Sequence, residues 1–174
     1  MSEISFFVPG KPQGKARART VRMPNGFTRS FTPDKTVLYE NLIKGCFMEA
    51  AARLDDRLFF EPGTPVEMEL TAYFKPPVSQ SLKKQKLMLM DRIQPLKKPD
   101  MDNIVKVVAD ALNGLAYHDD TQICLLTAKK VYGEGEGLLV RIREYVPTTV
   151  TISMDTEVSV KTDMFPGQLS LEML

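Results

Sequence analysis

The chain has 174 residues, 43% of them hydrophobic and 26% charged, a balance typical of one globular domain with its own core. The formal net charge of +1 is too small to indicate any particular partner. The charge is unevenly distributed, however. Residues 1–35 hold seven basic and two acidic residues, whereas residues 146–174 hold one lysine and four acidic residues. The basic beginning therefore favours a polyanionic partner.

Cysteine usage and hydropathy argue against several classes of protein. Cys46 and Cys124 lie far apart in apolar segments and form no cluster with histidine, which argues against structural zinc and favours buried thiols in a reducing compartment. Pro9 and Gly10 interrupt the first apolar run, so we expect no secretory signal. No stretch is apolar for long enough to span a bilayer. These features predict a cytoplasmic protein.

The first third of the chain predicts a strand, a hairpin and a helix. Ile4 to Val8 is a short apolar strand, and Arg17–Phe31 is a basic β-hairpin with an Asn-Gly turn. Thr32, followed by proline and aspartate, is typical of a helix start, and the helix is expected to run to about Arg53. Its predicted inner side consists of Val37, Leu38, Leu42, Ile43 and Phe47.

The middle of the chain predicts one strand and two helices. Val66 to Phe74 alternates as a strand does, and Ser79 to Arg92 is a lysine-rich helix that is either a solvated surface or a DNA contact. Asp102 to Gly114 is the next helix, ending at an Asn-Gly pair. Its apolar stripe consists of Ile104, Val105, Val108, Ala109 and Leu112.

Two β-rich runs follow, Gln122 to Tyr132 and Leu138 to Val146, and the glycine-rich segment between them predicts a hairpin. Strands and helices alternate irregularly, so we expect a single α+β domain with a mixed sheet packed against helices, covering residues 1–146. From Pro147 the sequence is polar and threonine-rich, which predicts a flexible tail over residues 147–174.

Acidic residues are concentrated around the third predicted helix. Pro99 keeps the chain extended before the helix, so Asp100 and Asp102, two residues apart, can face one site. Asp120 follows the helix and can return to the same region. Three clustered carboxylates repel one another unless a cation neutralises them, and oxygen ligands of this kind suit Mg²⁺, with Mn²⁺ as a substitute. Lys106, one helical turn after Asp102, either orients that carboxylate or offers positive charge to the reaction.

Simpler interpretations of the same residues remain open. An Asp-x-Asp pair at a helix start also caps the helix, and Asp119-Asp120 alone is typical of a turn. Other chemistries are excluded more firmly. A calcium loop requires glycine and glutamate where the chain has Val105 and Ala111, and a histidine-based phosphohydrolase is excluded because His118 is the single histidine. Neither a phosphate-binding Walker loop nor a nucleophile elbow is present.

The run KPDMDNIVKVVADALNGLAYHDDTQI resembles the signature of the RusA family of Holliday junction resolvases. The shared elements, in order, are Asp-x-Asp-Asn, a lysine four residues after the second aspartate, Asp-Ala-Leu-Asn-Gly and Asp-Asp-x-Gln. Val8 to Pro12, followed by basic residues, is also similar to the start of that family. The resemblance covers roughly residues 4–146. It implies a protein encoded by a bacterium or a phage in which Asp100, Asp102 and Asp120 are catalytic, metal-binding aspartates and Lys106 is the essential lysine. Asp110 and Asp119 also lie in the motif but are weaker candidates for a catalytic role.

The resemblance further implies a homodimer that cuts two strands of a four-way junction symmetrically. The basic segment then gains a use, because cations there can contact DNA phosphates without reading sequence; a solvated basic loop is the alternative. The predicted DNA-binding residues are Lys11, Lys15, Arg17, Arg19 and Arg22.

The tail contains a separate signal. Its last seven residues, QLSLEML, resemble the short peptides by which bacterial proteins bind the replication sliding clamp, although Glu172 departs from the shorter form of that peptide. The predicted clamp contacts are Gln168, Leu169, Leu171 and Met173.

The sequence thus predicts a Mg²⁺-dependent crossover junction endodeoxyribonuclease acting in DNA recombination and repair. Two alternatives remain: a less selective nuclease for flaps or other branched DNA, and a junction-binding recruitment protein with weak catalysis.

Overall fold

The computed structural model describes residues 3–23, 26–54 and 59–147, with the side chain of Arg19 left undescribed. The predicted clamp-binding residues Gln168, Leu169, Leu171 and Met173 lie outside these ranges, as does nearly all of the predicted tail. The elements are β1 (Glu3–Pro9), β2 (Arg19–Arg22), β3 (Thr28–Phe31), α1 (Asp34–Ala51), β4 (Val66–Phe74), α2 (Leu82–Leu89), α3 (Met101–Leu112), a 3₁₀ turn (Asp120–Gln122), β5 (Ile123–Tyr132) and β6 (Gly137–Glu144).

The architecture is a single α+β domain with a mixed four-stranded sheet, which confirms the predicted fold class. The sheet order is β1-β6-β4-β5; β6 pairs antiparallel with both β1 and β4, and β4 pairs parallel with β5. β2 and β3 form the predicted basic hairpin as a separate antiparallel pair. Within the described ranges, no helix is long and apolar enough to cross a membrane.

The predicted hairpin between β5 and β6 is wrong, because β4 lies between these two strands. The glycine-rich segment 133–136 instead crosses the end of β4, where the Gly133 N–H donates to the Phe74 carbonyl over 2.9 Å. β6 pairs on both sides, with β1 and with β4, and its inward side chains Leu138, Val140 and Ile142 are fully buried. A turn signal reports only a local chain reversal, so it cannot specify which strands pair when a third strand inserts between two consecutive ones.

One face of the sheet packs against α1 and α3 to form the core. Alternate residues of β1, β4 and β6 point inward and meet the buried stripe of α3, which includes Ile104, Val108 and Leu112 as predicted. The rings of Phe6 and Phe47 join β1 to α1 edge to face, with their centroids 5.8 Å apart. This packing fixes α3 against the sheet and therefore fixes the position of its first turn.

The predicted inner side of α1 is wrong at three positions, since Val37, Leu38 and Leu42 are exposed. The helix instead buries a stripe of Thr36, Tyr39, Ile43 and Phe47. Apolar residues occur on both sides of this helix, so its sequence pattern could not show which side is buried. Packing against β1 and α3 decides it. Nor does a hydroxyl cap the helix: its N-cap position is Pro33, which makes no side-chain cap bond.

Two further expectations need correction. α2 is shorter than predicted, beginning after Ser81, whose hydroxyl accepts a hydrogen bond from the Lys84 N–H, and Met88 is the single residue of the helix that is buried. Of the two cysteines predicted to be buried, Cys46 is half-buried and Cys124 is exposed. The opposite face of the sheet carries ion pairs, among them Arg143 with Glu67 at 2.8 Å, which suits a solvated surface.

Candidate active site

Asp100 lies at the N-cap position of α3, in extended conformation, yet its side chain makes no capping hydrogen bond. The helix uses the backbone carbonyl of Asp100, which accepts from the Ile104 N–H over 3.1 Å. The carboxylate is exposed and remains available. Capping therefore does not explain Asp100. Asp102 lies in the first helical turn and is also exposed. Among the described residues, its side chain accepts one long hydrogen bond, of 3.3 Å, from the Asn103 amide.

A lysine of β5 holds the segment that leads into Asp100. Lys130 on β5 donates from Nζ to the carbonyls of Lys97 and Pro99, at 2.8 and 3.3 Å. Lys97 in turn lies over the rings of Phe74 and Tyr132, 5.0 and 5.7 Å from their centroids. The backbone just before Asp100 is thus fixed to the sheet. Sequence reasoning missed Lys130, because nothing in a strand pattern distinguishes it from a solvated lysine.

The Asp-Asp-x-Gln motif divides into structural residues and one free carboxylate. Asp119 caps the 3₁₀ turn by accepting from the Thr121 N–H at 3.0 Å. Hydrogen bonds from the side chain and backbone of Thr121 hold the pKa of Asp119 below its usual range. Gln122 accepts from the His118 and Asp119 N–H groups and donates to carbonyls of the segment 60–64. Asp119 and Gln122 therefore fold the loop, and the side chain of Asp120 is left with no hydrogen bond or ion pair among the described residues.

Tyr117 connects this loop to α3. It is fully buried, and its hydroxyl donates to the Ala109 carbonyl on α3 over 3.0 Å. Burial raises the pKa of Tyr117, and the negative charges of Asp120, Asp110 and Asp119 raise it further. The Tyr117 hydroxyl thus ties the start of this loop to α3. The return of Asp120 to the region of Asp100 and Asp102 stays a prediction.

Lys106 and Asp110 lie on α3 one and two turns beyond Asp102, on the same side of the helix. Lys106 is exposed and, within the described part of the chain, makes no ion pair with either aspartate. Asp110 pairs instead with Lys15, at 2.8 Å between Oδ2 and Nζ. The ammonium group of Lys106 therefore stays available.

The chemistry of the donors fits a hard divalent cation. Asp100, Asp102 and Asp120 offer carboxylate oxygens that the helix and the turn do not use, and Mg²⁺ prefers oxygen ligands. Within residues 3–23, 26–54 and 59–147, however, no three acidic, histidine or cysteine side chains are grouped closely enough to hold a metal ion. Mutual repulsion of unneutralised carboxylates favours such separation. Their joint role in binding metal stays a prediction.

An open cleft of about 1190 Å³ lies between the basic arm (residues 11–17), the start of α1 and residues 98–103. Its charged lining consists of Lys11, Lys15, Arg17, Lys35 and Lys98, with Asp34 and Asp100. Asp100 thus stands in the wall of a cleft with excess positive charge, a surface suited to a nucleic-acid backbone. Lys35 and Lys98 were missed in the sequence, although Lys98 lies only two residues from Asp100.

The predicted DNA-binding residues are placed differently from one another. Lys11, Arg17 and Arg22 are exposed, and Arg19 lies on β2 with its side chain undescribed. Lys15 is the exception: only 22% of its side chain is exposed, and it pairs with Glu40 as well as Asp110. A direct phosphate contact by Lys15 is therefore not supported by its surroundings.

The structure is thus an α+β fold in which the exposed carboxylate of Asp100 lies in the wall of a cleft with excess positive charge, an arrangement suited to an enzyme that acts on nucleic acids. The chain belongs to the RusA endodeoxyribonuclease family, since the family model for Endodeoxyribonuclease RusA matches residues 9–143. It is also 34% identical over 147 residues to "Uncharacterized protein YqaN" of Bacillus subtilis (strain 168). The matched region covers 83% of this chain and 98% of that protein. The predicted family is confirmed, and the family supports an endodeoxyribonuclease activity.

Proposed function

We propose that this endonuclease resolves four-way (Holliday) DNA junctions by paired, Mg²⁺-dependent hydrolysis of phosphodiester bonds, during recombination and repair in the cytoplasm. One observation carries the proposal: the Asp100 carboxylate is unused by its helix and stands in the wall of the basic cleft. Carboxylates so placed are close to any phosphate that the cleft binds.

Asp100, Asp102 and Asp120 are the proposed metal ligands and catalytic residues. Bound Mg²⁺ would supply an activated water and charge stabilisation at the phosphate. Hydrogen bonds hold the backbone next to two of these residues. Lys130 donates to the Pro99 carbonyl just before Asp100, and Gln122 accepts from the Asp119 N–H just before Asp120. Lys106, exposed on the same helix, is the fourth proposed catalytic residue and offers its ammonium to the charge that develops on the phosphate oxygens.

The arm and the cleft supply DNA binding in this proposal. Lys11 and Arg17 are exposed in the lining of the cleft, Arg22 is exposed on β2, and Lys35 and Lys98 extend the basic surface to Asp100. Contacts of this kind position the backbone and carry no sequence information. A homodimer would match the two-fold symmetry of a four-way junction by presenting two equivalent sites.

The substrate is tested by offering the wild type a synthetic four-way junction, a flap and a matched linear duplex, each with and without Mg²⁺. The proposal predicts paired, metal-dependent nicks in the junction alone, and loss of cleavage with retained junction binding in Asp102→Asn. Equal cutting of the flap would instead favour the less selective nuclease. Tight junction binding without cleavage in any divalent metal would favour the recruitment protein and would contradict the proposed chemistry.

We keep the sliding clamp as a second proposed partner, through Gln168, Leu169, Leu171 and Met173. The support is the resemblance of the peptide itself: apolar anchors and one amide suit a groove on a partner protein. Deleting residues 168–174 is expected to remove clamp binding in a pull-down while nuclease activity stays unchanged. Unaltered clamp affinity would end this proposal.

A further inference from the structure

Lys15 is enclosed by acidic groups from two helices. Its ammonium pairs with Glu40 on α1 and with Asp110 on α3, and the exposed fractions of the three side chains are 22%, 17% and 28%. Burial alone would lower the pKa of Lys15, but the hydrogen bonds to Asp110 and Glu40 outweigh it and the pKa is raised. Lys15 is thus held as a cation, and two carboxylates of the protein neutralise its charge.

The backbone around Lys15 is bound to the same helix. The Lys15 N–H donates to the Asn103 carbonyl in the first turn of α3, over 2.8 Å. Gly14 approaches this turn so closely that a Cβ there would meet Asn103 Cβ at 2.8 Å and Pro99 Cβ at 3.0 Å. Glycine is therefore required at position 14 for the arm to lie against the segment that carries Asp100.

The pairing also decides what Asp110 does. Asp110 is four residues after Lys106, the spacing at which an aspartate and a lysine pair on a helix surface. In the structure Asp110 pairs with Lys15 instead. Without the Lys15 ammonium, Asp110 and Glu40 would repel each other across the two helices, and Lys106 would be the nearest cation along α3 able to neutralise Asp110.

From this geometry we propose that Lys15 is a positioning residue: it clamps the basic arm onto α3 and, by engaging Asp110, leaves Lys106 free to act on the substrate. The proposal rests on the proposed function for the role of Lys106, whereas the clamping itself does not. It replaces the prediction that Lys15 binds a DNA phosphate.

The test compares Lys15→Met with Lys11→Met, an exposed lysine of the same arm, and with Lys129→Met, an exposed lysine on the far face of the sheet. Junction affinity is measured over a range of salt concentrations, and cleavage is measured in single turnover at saturating enzyme. Each lost phosphate contact lowers the slope of log affinity against log salt by about one. We expect Lys11→Met to lower that slope and Lys129→Met to change nothing.

For Lys15→Met we expect an unchanged salt slope and a cleavage rate at saturation reduced roughly tenfold or more, the cost of a misplaced catalytic group. Lys15→Arg should restore most of the rate, and Lys15→Met combined with Asp110→Asn should recover part of it, since a neutral residue 110 no longer attracts Lys106. If Lys15→Met lowers the salt slope by about one and leaves the saturated rate intact, Lys15 contacts phosphate and the proposal is overturned.

Amide hydrogen exchange separates this proposal from the proposed function. In Lys15→Met the exchange of residues 11–17 should accelerate relative to wild type, and in Lys15→Arg it should not. Faster exchange in a protein that cuts no DNA would uphold the clamp and refute the nuclease. Unchanged exchange in Lys15→Met would overturn the clamp whatever the cleavage assay shows.

Discussion

Replacing Gln122 with methionine removes the polar groups that hold the Asp120 loop while keeping the length of the side chain. The Gln122 amide donates to the carbonyls of Glu61 and Thr64, at 2.9 and 3.0 Å, with a longer 3.3 Å contact to Phe60. Its oxygen accepts from the N–H groups of His118 and Asp119, at 2.9 and 3.2 Å. Two of these four bonds therefore join loops that are some sixty residues apart in the chain, and the other two fold the loop of Gln122 itself.

The expected loss of stability follows from these bonds. Each contributes roughly 0.5–1.5 kcal/mol net, and water can replace part of the loss because Gln122 is only partly buried. We therefore expect Gln122→Met to lower the free energy of unfolding by about 2–3 kcal/mol. Gln85→Met is the matched control: Gln85 makes one side-chain bond, to the Gln80 carbonyl at 2.7 Å, so its loss should be about 1 kcal/mol or less.

Urea unfolding followed by circular dichroism measures both losses, and junction cleavage is then assayed under conditions where each variant is folded. Because the loop carries Asp120, Gln122→Met should also cut more slowly than Gln85→Met. If Gln122→Met unfolds at the same urea concentration as Gln85→Met and cuts as fast as wild type, Gln122 does not position Asp120 and the reasoning fails.

Three other outcomes are expected. Ile43→Ala, at a fully buried position of α1, should cost about 2–5 kcal/mol, whereas Leu38→Ala, at a side chain 68% exposed, should cost far less in the same urea assay; equal losses would mean that the buried face of α1 is misassigned. The pKa of Asp119 is lowered by folding, so its stabilising effect should be full above the ordinary aspartate pKa of about 3.9 and lost as the pH falls through its folded value. The urea midpoint of wild type should therefore exceed that of Asp119→Ala at pH 7 and approach it near pH 3; a gap independent of pH would contradict the cap. Arg17→Ala should lower the salt slope of junction binding by about one, while Arg53→Ala, an exposed arginine outside the cleft, should leave it unchanged; equal slopes would remove Arg17 from the DNA interface.

The sequence predicted most reliably the elements in which the spacing of apolar residues matches the spacing of the buried positions. β4 alternates strictly and α3 carries one apolar stripe, so both were placed to within one or two residues. α1 has apolar residues on two sides, and only packing against the sheet decides that Ile43 is buried and Leu38 is not. The pairing of β5 and β6 failed for a similar reason: a local turn signal carries no information about a third strand that inserts between its neighbours.

In the candidate site, too, the sequence predicted the features that neighbouring residues determine and missed those that distant parts of the chain determine. The position of Asp100 before α3 follows from Pro99 and helix periodicity, which are local. That Asp119 caps a turn while its neighbour Asp120 stays free depends on hydrogen bonds that two adjacent identical residues do not reveal. The partners of Lys15 come from α1 and α3, and no spacing along the chain predicts them. Charge patterns thus located the basic arm without separating the exposed Lys11 from Lys15, which is paired inside the protein.

The most direct test of the account is single-turnover cleavage of a four-way junction in Mg²⁺ by Asp100→Asn and by Asp91→Asn. Asp91 is an exposed aspartate outside the site, and asparagine there keeps the oxygen that accepts from Gln94 at 2.8 Å. The account predicts that Asp100→Asn binds the junction at least as tightly as wild type but does not cut it, while Asp91→Asn cuts normally. Cleavage by Asp100→Asn at the wild-type rate would show that the carboxylate in the cleft wall is not the catalytic centre.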